Sequence, residues 1–369
     1  ELLYTLARGY KIVVHTDPHR RHVPMTTDSA DRGESAGRLQ FSLFYFAADE
    51  GEASGDKYRL LLEGAKFADR HGFAAVWTPE RHFHASGGLY PNPSVASAAL
   101  AFVTERVQLR AGSVVLPLHH PARIAEEWSL VDNFSRGRVG VSFASGWQPN
   151  DFVLKPENYA NRHTLMYEGI ETVRKLWRGE AVAFPDASGK PVEVRTLPRP
   201  VQKDLPIWIT TAGNIDTWKS AARIGANILT HLLGQTAEEI AEKVRVYRRL
   251  YREHNPGKPD GTVSIMLHTF VGDDDRAVKE IVRKPMTAYL GTSLSLVKNV
   301  VSSWAAFKKG AGAGAMDLDL KTLSKDELDG LLEFSFERYY ETSGLFVFRE
   351  DAGSPNQPRA RDRNLFLPL

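Results

Sequence analysis

The chain has 369 residues, 42% apolar and 10% aromatic, enough to bury a substantial core in one large domain or two ordinary ones. Its 47 Lys and Arg nearly balance its 45 Asp and Glu, so no global field favours nucleic acid or an anionic membrane surface. With no cysteine, disulfides, thiolate nucleophiles and cysteine-ligated zinc or iron–sulfur sites are excluded.

Residues 1–38 read as a linker or flanking segment. A short strand-like run, Tyr10 to Val14, precedes a stretch almost without apolar residues, in which His15, His19 and His22 show no periodicity. Glu1 to Tyr4 lack the cationic start of a secretory signal, and no run reaches the roughly 18 apolar residues of a membrane span. A cytoplasmic protein is therefore expected.

The folded part is expected from residue 39. A continuous apolar strand begins at Leu39, and Leu61, Ala65 and Ala68 recur at helical spacing before a stop at His71-Gly72. A strand follows at Ala75 to Trp77, then a helix from Pro93 to Thr104 and a strand from Val107 to Leu116. The alternation continues with a helix from Ala122 to Phe134, a strand from Gly137 to Ser145 and a helix from Arg162 to Trp177. Pro206 to Thr210, Ala226 to Thr230 and Val263 to Val271 complete seven predicted strands, separated by helices at Ile215 to Ile224 and Ala237 to His254. Seven such units without a dinucleotide fingerprint favour a (β/α) barrel over a doubly wound sheet. Two stretches interrupt the pattern: Trp147 to Ala160, placed to cover a site, and the Pro- and Gly-containing Glu180 to Gln202, read as an excursion on the opposite face. From Asp273 to Tyr340 the pattern is helical, broken by a loop at Gly310 to Gly314.

Polar residues collect at strand ends, where parallel α/β proteins build sites. Thr78 to His84 follow the second strand, Gly112 and Ser113 lie in the third, Ser142 to Trp147 follow the fourth, and Thr210 to Asn214 the fifth. The amides around Gly213, leading into a helix, can hold a phosphate, although Gly and Asn also serve such turns for backbone freedom alone. Arg162 either clamps the same phosphate or is a surface arginine. The pairs His82/His84 and His119/His120 lack the further ligands that metal spacing demands, so no metal is expected.

Taken together, WTPERHF at Trp77 to Phe83, YPNP at Tyr90 to Pro93, LRAGSVVLPLHHP at Leu109 to Pro121, GRVGVSFASGW at Gly137 to Trp147 and ITTAGN at Ile209 to Asn214 resemble the bacterial luciferase-like flavin monooxygenases. TAGN followed by GANILTHLLGQ at Gly225 to Gln235 is similar to the luciferase-like domains of polyketide and nonribosomal peptide assembly lines. The resemblance runs from about residue 39 to 346. It implies a TIM (β/α)8-type barrel binding reduced FMN, with Gly112 and Ser113 beneath the isoalloxazine through a non-prolyl cis peptide. It also implies Ala144, Ser145 and Gly146 at the flavin border, and Arg162 with the amides of Thr211, Ala212, Gly213 and Asn214 at its phosphate. Trp147 would begin a covering loop.

Two departures stand out. Where luciferase has EHHF, this chain has Glu80-Arg81-His82-Phe83, so base chemistry cannot pass to Arg81, whose guanidinium stays protonated. His82 becomes the expected proton-transfer residue, with Glu80 and Arg81 positioning groups around it. After Phe346 the tail, 347–369, is Pro- and Arg-rich. The eighth unit is therefore expected to be altered or missing, with Leu365 to Leu369 a poor substitute or two barrel edges left unpaired.

The resemblance implies an FMNH2-dependent monooxygenase that activates O2 as a flavin C4a-hydroperoxide and oxygenates, for instance by hydroxylation, a natural-product intermediate that is either a small molecule or an acyl or aminoacyl chain on a carrier protein. A separate flavin reductase would supply FMNH2, and a homodimer is possible. An F420-dependent oxidoreductase and an inactive flavin-binding or interaction module are the alternatives.

Overall fold

Alternating strands and helices close into a barrel in the computed structural model, which describes residues 10–17, 38–47, 56–84, 87–233, 235–272, 274–292, 324–342 and 345–348. Seven strands form its parallel wall: β2 (Arg38–Tyr45), β3 (Ala75–Thr78), β4 (Gln108–Val115), β5 (Val139–Ala144), β8 (Ile207–Thr210), β9 (Asn227–His231) and β10 (Val263–Gly272). The intervening helices are α1 (Arg59–Arg70), α2 (Pro93–Ala101), α3 (Pro121–Ser135), α4 (Arg162–Arg178), α5 (Ile215–Arg223) and α6 (Ala237–His254). This is the expected TIM-like architecture.

Closure differs from the expectation. An N-terminal strand, β1 (Tyr10–Asp17), runs antiparallel between β2 and β10 and pairs with both, so the edges expected to be unpaired are joined within residues read as a linker. Ladder amides and carbonyls accept a partner of either direction, which lets one antiparallel strand seal a parallel wall. A second addition, β11 (Leu345–Phe348), pairs in parallel with Thr269 to Gly272 of β10, beyond the segment that β1 covers. Residues 310–314 and 365–369, on which a loop and a substitute strand were expected, lie outside the described residues.

The strand period of two divides the core. Outward-facing Val139, Val141 and Phe143 of β5 and Ile207 and Ile209 of β8 are buried with Trp128 of α3, Ile170, Val173 and Trp177 of α4, and Trp218 of α5. Each such side chain contributes roughly 1.5–3 kcal/mol on leaving water. Phe44, Ala75, Trp77, Trp208, Leu229 and Met266 fill the interior. There the Arg110 guanidinium lies 5.2 Å from the Trp77 ring and 4.4 Å from that of Trp208.

Local chemistry explains the helix starts. The Asn92 side chain accepts from the amides of Ser94 and Val95, with Pro93 in the first turn of α2, and Thr236 and Glu239 form a capping box on α6. At the barrel base, buried Arg138 donates to the carbonyls of Ala101, Thr104, Val107 and Ser135 and to the Thr104 hydroxyl. The excursion expected at Glu180 to Gln202 contains an antiparallel hairpin of β6 (Val182–Pro185) and β7 (Pro191–Val194). Its return is fixed by Gln202, which donates its amide and side-chain nitrogens to Asp132 at 2.9 and 2.8 Å. Helices α7 (Asp275–Thr292) and α8 (Lys325–Thr342) pack on each other through Val278, Val282, Leu332 and Phe336.

Candidate active site

The four polar strand ends singled out in the sequence share the C-terminal mouth, because β3, β4, β5 and β8 are consecutive in the parallel wall. Gly112 and Ser113 are joined by a cis peptide, as the resemblance implies. A Cβ at Gly112 would come within 2.5 Å of the Phe44 ring, so only glycine lets β4 lie this close to the interior aromatics. The Thr210 hydroxyl ties three strand ends together, hydrogen-bonding Ser142 Oγ at 2.6 Å and also Ser113 Oγ.

Glu80 sits at the centre of the mouth, its side chain fully buried after β3. Oε1 accepts from His82 Nε2 at 2.8 Å and from His119 Nε2 at 2.6 Å, and Oε2 accepts the Val115 amide at 2.7 Å. Burial opposes the Glu80 charge, but the hydrogen bonds from both histidines and the amide outweigh it and hold the carboxyl below its ordinary value. Burial likewise disfavours a charged His119, and the Glu80 carboxylate reverses the balance, raising the imidazole above its ordinary value. With Nε2 bonded to Glu80, Nδ1 is the His82 nitrogen left for other partners, and Glu80 fixes the ring orientation.

Arg81, next in sequence, turns the other way. Its buried guanidinium stands 3.5 Å from the Asp151 carboxylate and 5.0 Å from the Trp147 ring, both in the stretch expected to cover the site. Burial raises the Asp151 carboxyl above its usual range, against the pull of Arg81. Arg81 Nε and Asp151 Oδ1 are buried without a hydrogen-bond partner among the described residues. Arg81 thus anchors the covering segment and makes no hydrogen bond to the Glu80 cluster. That segment comprises two 3-10 turns, Pro149–Leu154 and Pro156–Asn158. With Phe83 it borders an apolar groove of about 570 Å³ lined by Phe152, Val153 and Tyr159.

At the next strand ends, the Arg162 guanidinium donates to the carbonyls of Gly146 (3.1 Å) and Tyr159 (2.9 Å), keeping a positive charge beside the half-buried Ala144, Ser145 and Gly146. Gly146 has φ +80°, and a Cβ there would meet Phe152 and Val115 at 2.8 and 2.9 Å. The Thr211 amide is taken by Leu229 O. Ala212, Gly213 and Asn214 are exposed at the start of α5, where the Asn214 side chain caps the Asp216 amide and a Cβ on Gly213 would enter open space. Ala212, Gly213 and Asn214 at the start of α5 and Arg162 at the start of α4 follow the adjacent strands β8 and β5, and exposed amides at a helix N-terminus are groups that can hold a phosphate.

His119 and Asp151 were missed as site residues. The HisHis pair had suggested only metal, whereas His119 faces Glu80, and His120 accepts the Ala122 amide at the start of α3. Among the described residues no group of three or more His, Asp or Glu is arranged to hold a metal ion. The nearest signal for Asp151 was its position four residues beyond Trp147 in a segment read as a cover.

Comparison with known proteins gives the family and the fold. The model of the luciferase-like monooxygenases matches residues 38–328. The chain belongs to that family. Its relatives include the oxygenase component of a flavin-dependent trigonelline monooxygenase from Acinetobacter baylyi, 27% identical over 64% of this chain and 66% of that protein. The fold is shared with the oxygenating constituent of 3,6-diketocamphane monooxygenase from Pseudomonas putida, solved with FMN (TM-score 0.59, 18% identity, 83% of this chain and 89% of that one). It is shared also with an F420-dependent secondary alcohol dehydrogenase (TM-score 0.52, 16% identity, 78% and 87%). The same fold thus occurs in a protein solved with FMN and in an F420-dependent enzyme.

Proposed function

We propose that the barrel, with β1 closing the 39–346 region, forms an FMNH2-dependent monooxygenase unit that activates O2 and oxygenates an acyl-type natural-product intermediate presented on a carrier protein. The observation that carries this reading is the meeting, at one mouth, of an anion cradle (Arg162 and the amides of Ala212 to Asn214) with a neutral-base geometry (His82 held by Glu80). Reduced FMN would supply the electrons for oxygen activation. The chain's own residues would grip its phosphate, shape the floor at Gly112-Ser113, border it with Ala144, Ser145 and Gly146, and move a proton at His82 Nδ1.

Arg81 has a different part in this reading. Bound to Asp151 beneath Trp147, it would hold the covering segment closed and exclude water. The apolar groove by Phe83 and Phe152 supports an acyl substrate, and the assembly-line-like motifs at Thr211 to Asn214 and Gly225 to Gln235 support a carrier-bound one. A relative being an oxygenase component supports a separate reductase. No helix among the described residues is long and apolar enough to cross a membrane, which supports action away from one.

The test is anaerobic titration with photoreduced FMN followed by mixing with O2. Binding and a transient absorbance distinct from both oxidised and reduced FMN is the expected result. Tight binding of F420 in place of FMN would move the reading to hydride transfer. Failure to bind either would leave a flavin-free interaction module.

A further inference from the structure

We propose that His119 is a proton reservoir for His82, connected to it through the buried Glu80 carboxylate. This rests on reading the mouth as a proton-requiring oxygenation site, and His119 acts through Glu80 as a positioning residue. Three observations carry it. The two imidazoles donate to the same oxygen, Glu80 Oε1, at 2.8 and 2.6 Å, so a proton leaving either ring has a bonded acceptor that also touches the other. The second carboxylate oxygen is held by the Val115 amide, which prevents the carboxylate from rotating away from the rings. Finally, exposure rises along the series. The side chain of Glu80 is 0% exposed, that of His82 12% and that of His119 27%, so Glu80 is closed to water and His119 is the group best able to exchange with it.

The charges around the series favour a proton stored at His119. Glu80 faces it from the loop after β3, and Glu127 of α3 adds a second negative field. Glu127 itself accepts from Ser94 Oγ and pairs with Arg123. On the far side, His82 has Arg81 and Asp151 in its neighbourhood, with His84 further along the loop. The transfer is balanced and involves no electrons. The Nε2 proton of imidazolium His119 passes to Glu80 Oε1, and the carboxyl proton passes to Nε2 of a neutral His82 whose own proton sits at Nδ1. The sum is a neutral His119, a carboxylate and an imidazolium His82. Water then recharges His119.

The experiment is NMR titration of ¹⁵N-histidine in the full chain without flavin, with His119→Gln as the variant, since Gln Nε2 can still donate to Glu80 but cannot titrate. In the wild type the His82 ring ¹⁵N signals are expected to respond at the step in which His119 titrates. In the variant that response is expected to be lost. A His82 response at that step that persists unchanged in the variant would overturn the proposal. His119→Asn, screened by thermal melting, provides the same readout should the first variant fold poorly.

With reduced FMN and O2, His119→Ala is expected to slow the proton-dependent phase about tenfold and to recover with added imidazole. Lack of recovery alongside an unchanged His82 response also overturns it. Because the titration contains no flavin, failure of FMN to bind would refute the monooxygenase reading without touching this result.

Discussion

Replacing Glu80 with Gln removes one buried charge and leaves the shape. The carboxylate takes three hydrogen bonds, two of them from imidazoles, whereas the amide can accept at only one atom and must turn its NH2 toward at least one donor. Hydrogen bonds to charged groups contribute about 1.5–3 kcal/mol each, and stranding a buried partner costs a similar amount, so we expect a loss of about 2–4 kcal/mol. The loss should depend on pH. Glu80 lies below its ordinary 4.5 in the folded chain, so its contribution is full above that value and disappears as pH falls through the lowered pKa. His119 lies above its ordinary 6.5, so its contribution is full below 6.5 and disappears as pH rises through the raised pKa. Both are present between about pH 4.5 and 6.5. Urea unfolding at pH 5.5 and pH 9 should therefore show the larger difference between wild type and Glu80→Gln at pH 5.5. An equal loss at both values, or one under about 1 kcal/mol at pH 5.5, would refute the reasoning.

Other perturbations probe the rest of the frame. Arg162→Met removes the guanidinium proposed to grip the FMN phosphate and should weaken FMN binding about 10–100-fold by fluorescence titration, the worth of a charge-assisted contact. Arg138→Ala strands four carbonyls and a hydroxyl at the barrel base and should lower stability by about 3 kcal/mol or more in urea. Gly146→Val places a branched side chain at φ +80° against Phe152 and Val115, and should abolish FMN binding with the barrel still folded by far-UV circular dichroism. Removing residues 1–17 unpairs β2 and β10 together, and concentration-dependent aggregation by light scattering should follow.

The parallel wall was legible because its strands are short apolar runs set between helices of clear period, and because the chemistry collects where those runs end. Thr210, Ser142 and Ser113 could be located in this way, and hydroxyl contacts between them follow once β4, β5 and β8 are neighbours. The partner of Glu80 was not legible. His82 is two residues away and His119 is 39, and nothing local distinguishes an imidazole aimed at a buried carboxylate from one at a helix start, which is what its neighbour His120 is. Pairing across strands is a property of topology, and a single sequence carries it only through the strand order.

The same reasoning explains why the closing strand escaped notice. Tyr10 to Val14 has strand composition, but the segment after it, through residue 37, is polar and its length gives no clue to where the strand returns. A parallel eighth strand must come through a crossover, which points to the C-terminal tail. An antiparallel strand has no such requirement: β1 reaches its place beside β2 from the N-terminal side and meets β10 by barrel closure alone. The consequence for the site is specific. The strands that carry Glu80, Gly112, Ser142 and Thr210 all belong to or follow the parallel wall β3 to β8, away from the seam. The seam can therefore be built unconventionally while the strand ends that hold the candidate chemistry stay neighbours in the parallel wall.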